Sequence, residues 1–135
     1  MPYIIFADSQ SRARWTIFVP DDWIVGSDVH VNLHWSLKDA DTGNVFWFLE
    51  SKSLAAGESV SGANMTDTYV AAGNATAYVL MSTGQNLTIP GASMALGDLL
   101  QVAVGRSGGA GTDTNTKEAF LHHARVEYTA LKPPP

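Results

Sequence analysis

The chain has 135 residues, 45% of them hydrophobic and 16% charged, with a formal net charge of −5. That length suits one domain with a continuous apolar core; the apolar content excludes disorder, and no run of about 18 apolar residues offers a helical membrane span. Eight scattered basic residues in an acidic chain argue against a nucleic-acid partner, and the absence of cysteine excludes a disulfide framework and a thiolate metal site.

The N-terminus, "MPYIIFADSQ", has no basic start before its apolar run and no cleavage signal, so it does not read as a secretion leader. Residues 1–12 read as an edge strand or as an arm whose Tyr3, Ile4, Ile5 and Phe6 anchor on a neighbour. From residue 13 to 131 the pattern is that of a single β-sandwich. Residues 132–135 form a proline tail that cannot continue a sheet. A first strand is expected over Ala13 to Val19. The clearest lies over Val29 to Leu37, where Val29, Val31, Leu33, Trp35 and Leu37 alternate with His30, Asn32, His34 and Ser36.

"DADTGN" then offers a turn, so Val45 to Leu49 is expected to return as the second strand of an antiparallel hairpin. This strand is apolar on both faces, with Val45, Trp47 and Leu49 on one and Phe46 and Phe48 on the other. A strand of that kind is covered on both sides, which makes Phe46 and Phe48 the candidate oligomer interface. Further strands are expected at Met65 to Ala71, Ala75 to Met81, Asn86 to Ile89, Leu99 to Arg106 and Phe120 to Thr129. Short strands separated by glycine-marked turns, without helical periodicity, give an all-β class: an antiparallel two-sheet sandwich, jelly-roll-like.

Tests for chemistry return little. The loop "GRSGGAGTDTNTKEAF" lacks the glycine offsets, the Lys-Ser/Thr pair and the following helix of a phosphate loop, and reads as a flexible connection. His30 and His34 share a strand face but stand roughly 13 Å apart, beyond chelation by one ion, and His122 and His123 point to opposite faces, so no metal or other cofactor is expected. Asp21-Asp22 and the pair Asp39 and Asp41 read as turn residues rather than a catalytic carboxylate pair. No nucleophile elbow is present, and the chain is not expected to be an enzyme. The three Asn-x-Thr triplets read as turn chemistry. Trp23, Tyr69 and Tyr78 remain as aromatics able to stack on a sugar ring.

The segments "VHVNLHW", "TGNVFWFLES", "LGDLLQVAVGRSG" and "HARVEYTAL", in that order, resemble a β-sandwich, jelly-roll-like module of tailed-bacteriophage virion proteins. Val29 to Ser51, Leu96 to Gly108 and His123 to Leu131 carry the likeness, with weaker agreement at Asp21 to Trp23. The resemblance implies a non-enzymatic virion protein, made in the host cytoplasm and placed at the virion surface. Its expected form is a homotrimeric capsid decoration or cement protein bound to the major capsid protein or another virion protein. The alternative is a tail-fibre or head-fibre module that binds a host cell-surface glycan. Neither reading involves nucleic acid or membrane insertion.

Overall fold

The computed structural model describes residues 4–6, 11–61, 65–107 and 111–132. Among the described residues nine strands run β1 (Ile4–Phe6), β2 (Ser11–Phe18), β3 (Val29–Leu37), β4 (Asp41–Leu54), β5 (Met65–Asn74), β6 (Met81–Ser82), β7 (Thr88–Ile89), β8 (Leu99–Arg106) and β9 (Ala119–Glu127). One sheet has the order β1-β9-β3-β6, with β7 also paired to β3; the other has the order β2-β8-β4-β5. Every pairing is antiparallel. The described strands change sheet at most connections, with β4 and β5 consecutive and paired, which is jelly-roll connectivity. The class is therefore all-β, two antiparallel sheets packed face to face.

The expected hairpin between Val29–Leu37 and Val45–Leu49 does not form, because β3 and β4 belong to different sheets. Each strand carries a full face of core residues. Side by side they would spread those faces over one sheet; residues 38–40 instead carry the chain across the sandwich, so that the faces meet. Trp35 and Trp47 then pack edge to face with ring centroids 5.4 Å apart, and Phe6 closes on Trp47 at 5.6 Å. The "TGN" step lies inside β4 as a register shift between Asp41 and Asn44.

A second expectation fails at Ala75 to Met81, where only Met81 is in a strand. The Asn74 side chain accepts the Thr76 N–H, and Tyr78 takes a φ of 60° while donating its N–H to the Leu37 carbonyl. Such left-handed backbone ends strand pairing. The alternation read there in the sequence belongs to a turn.

Phe6 is fully buried in the chain's own core, and β1 pairs with β9. Its side chain is therefore spent inside the fold and does not serve as an anchor on a neighbour. Ile4 and Ile5 enter as backbone of the same edge strand, while Tyr3 lies outside the described residues.

Candidate docking surface

The outward side of the β2-β8-β4-β5 sheet follows from register. Rows across it read Arg12, Gly105, Phe48; then Arg14, Ala103, Glu50; then Thr16, Gln101, Lys52. The middle strand thus presents Gly105 and Ala103 between long side chains on both flanks. Two adjoining hollows, one of about 510 Å³ over Ala103 and Gln101 and one of about 240 Å³ beside Thr66 to Thr68, share Arg12 and Glu50 and together form a trough. Phe46 and Phe48 line the smaller hollow, and both are half-buried. Arg12 lies over the Phe48 ring at 5.2 Å from its centroid and donates to Glu50 at 2.8 Å.

The larger hollow is edged by Val60 and Ser61, whose carbonyl accepts from Lys52 Nζ at 2.7 Å. Val60 is 69% exposed there, and past the hollow, where β2 finishes, Phe18 is 72% exposed. The trough therefore runs from two phenylalanines, through a belt of mixed charge, to an apolar end. An extended partner segment could bury its apolar side chains at both ends and meet charges between them.

At the opposite end the trough is fixed by a strap, residues 111–118. Arg106 is fully buried and places all five N–H donors: two on the Asp113 carboxylate at 2.8 and 2.9 Å, the others on the Phe6, Asn115 and Lys117 carbonyls. Asp113 also accepts the Phe46 N–H, and the Asn44 carbonyl accepts the Thr114 and Asn115 N–H groups while the Asn44 N–H donates to the Thr114 hydroxyl. Asn115 Nδ2 donates to the Asp41 and Gly43 carbonyls. Over these residues the connection between β8 and β9 is a bonded part of the fold rather than a flexible loop. Gly108, Gly109 and Ala110 lie outside the described residues.

Asp41 sits in the same knot, and its carboxyl is held below the ordinary value of 3.8, first by the Gly43 N–H and then by that of Thr116. A depressed carboxyl contributes stability that is complete above the unfolded value and is lost as pH falls through the folded one. Thermal melting of the wild type should therefore drop below about pH 4. Asp41→Asn should melt lower than wild type at pH 6 and converge with it in acid; parallel curves for the two proteins would show that Asp41 makes no such contribution.

The three aromatics expected to face a sugar do not share a surface. Trp23 is 1% exposed, bridged to Ala130, with its indole N–H on the Ser27 carbonyl at 3.1 Å. It is a core residue, because the turn at Asp21 and Asp22 brings the chain back against Thr129 to Leu131. Tyr69 is half-buried and packs against the core. Tyr78 stays open, stacked at 6.3 Å on Phe120, at the other end of the sandwich from Trp23.

On the outside of the other sheet, His34 lies opposite His123 with ring centroids 6.1 Å apart. His30 bonds Thr88, and His122 bonds the Ser36 hydroxyl. Glu127 is held below its ordinary carboxyl value, first by the Asn32 side chain. Among the described residues no three His, Asp or Glu side chains converge as a metal cluster.

No family model and no curated protein matches the chain. A chain from the structure of infectious bursal disease virus Gt strain is similar over 93% of this chain and 30% of its own length, at 10% identity and a TM-score of 0.39. This chain thus spans less than a third of that viral one.

Proposed function

We propose that this chain is a non-enzymatic virion structural protein, a capsid decoration protein that docks as a homotrimer on the outside of an assembled shell. The observation that carries the reading is the trough that runs over Ala103, lined by Phe46 and Phe48 in its smaller hollow and by Val60 in its larger one. Its support is the ordered likeness of the β3, β4, β8 and β9 segments to phage virion modules, together with a jelly roll, an architecture that capsid domains share with lectins and cupins. The major capsid protein is the partner, seated on the larger hollow over Ala103, and copies of this chain pack on one another through the smaller hollow at Phe46 and Phe48. Such a protein stabilises a shell by binding the assembled state better than its free subunits, worth about 2.7 kcal/mol per site at a hundredfold excess over Kd.

The glycan-binding alternative loses its best residue with Trp23 inside the core. Purified protein mixed with genome-filled shells should co-sediment with them and delay their thermal rupture. Light scattering should return three times 14.4 kDa. Ala103→Trp, which fills the trough floor without touching the core, should abolish co-sedimentation while leaving the melting temperature within a few degrees. Wild-type protein that stays in the supernatant would sink the docking reading, and a strict monomer would sink the trimer.

A further inference from the structure

We propose that His34 and His123 form a two-imidazole site for a borderline transition-metal ion such as Cu(II), Ni(II) or Zn(II). The two residues are direct cross-strand partners on β3 and β9, on the solvent side of their sheet, with ring centroids 6.1 Å apart and planes tilted by 50°. Cross-strand neighbours of this kind have Cβ atoms about 4.5–5.5 Å apart. Two imidazole nitrogens on one tetrahedral ion lie about 3.4 Å apart, given bonds of about 2.0–2.1 Å. At this separation a χ rotation of the tilted rings can bring one nitrogen of each onto a common ion.

The pairing depends on a bulge. The register shift between His34 and Trp35 sets His122 aside, where it bonds Ser36, and brings His123 level with His34. His34 Nδ1 is buried without a hydrogen-bond partner, a costly state for an imidazole nitrogen that binding at this pair would relieve through reorientation of the ring. Neighbouring groups are engaged elsewhere: Ser82, opposite His34 on β6, donates to Asn32, and Arg125, two residues along β9, is 3.6 Å from Glu127. Imidazole suits copper, nickel and zinc, and with no carboxylate in the pair a hard ion such as magnesium or calcium is disfavoured. The remaining coordination positions stay open to water.

The test is titration of the intact chain with Cu(II) alone in a non-coordinating buffer, followed by calorimetry and by electron paramagnetic resonance. Wild type should take one ion per chain, with a spectrum showing two equivalent nitrogens. Because two linked ligands bind far better than one, His34→Gln and His123→Gln should each weaken binding at least about tenfold and reduce the spectrum to one nitrogen. His30→Gln and His122→Gln should match wild type. Unchanged affinity in both His34→Gln and His123→Gln, or an equal loss in His30→Gln, would overturn the assignment. His123 is exposed, so its variant reads out binding even where His34→Gln disturbs packing.

Discussion

Arg106→Met should unfold at much lower urea than wild type, with a loss of about 3–5 kcal/mol, the cost of removing one partner from a buried ion pair. The side chains of Arg106 and Asp113 are 0% and 1% exposed, so solvent cannot replace what is lost. Without the guanidinium, the Asp113 carboxylate keeps only the Phe46 N–H, and the Phe6, Asn115 and Lys117 carbonyls lose their donors. Replacing Asp113 with Leu as well removes the orphaned charge and should recover part of the loss. Recovery stays incomplete because the three carbonyls still lack the guanidinium's donors. A single variant within about 1 kcal/mol of wild type would mean that the strap is not held by this residue.

Arg106 also shows what the sequence could and could not reveal. Leu100, Val102 and Val104 alternate inward, and the same parity carries Arg106 inward as well. A charge on core parity demands a buried partner. That signal lay in "LLQVAVGR", but the identity of the partner depends on how the glycine-rich connection folds back, which spacing alone does not encode. The bounds of β3 and β8 were legible to the residue because uninterrupted alternation persists where one face packs on the opposite sheet.

Topology was less legible. A short connection rich in turn residues fits a hairpin and an arch between sheets equally well, and the choice rests on which faces of β3 and β4 meet in three dimensions. Trp23 misled for a related reason: its burial comes from a bridge to Ala130, more than a hundred residues away in the chain. The outward parity of Phe46 and Phe48 was correctly read, yet the trough beside them depended on knowing that β8 lies between β2 and β4. The same limit applies to His34 and His123, whose pairing requires the β3–β9 register and its bulge.

Gly73→Ala should cost about 3–5 kcal/mol although it adds a single methyl group. A Cβ at Gly73 would stand 2.0 Å from the Asp41 carbonyl oxygen, 2.7 Å from Asn115 Nδ2 and 2.7 Å from the Gly43 carbonyl oxygen. Two of these contacts are backbone, so a flexible side chain cannot swing away to make room. Displacing them breaks the Asn115 bonds to the Asp41 and Gly43 carbonyls, at about 1 kcal/mol each, on top of about 1–3 kcal/mol for overpacking. Gly111→Ala is the matched control, since a Cβ there meets nothing within 4 Å. Urea midpoints for the two variants should therefore separate clearly; equal midpoints would show that the close approach of Gly73 to the strap is absent in solution. The consequence reaches the trough as well, because Asn115 and Asp113 belong to the same knot and Asp113 holds the Phe46 N–H. Gly73→Ala should consequently weaken docking on shells at temperatures where the chain is still folded, whereas Gly111→Ala should dock as wild type does.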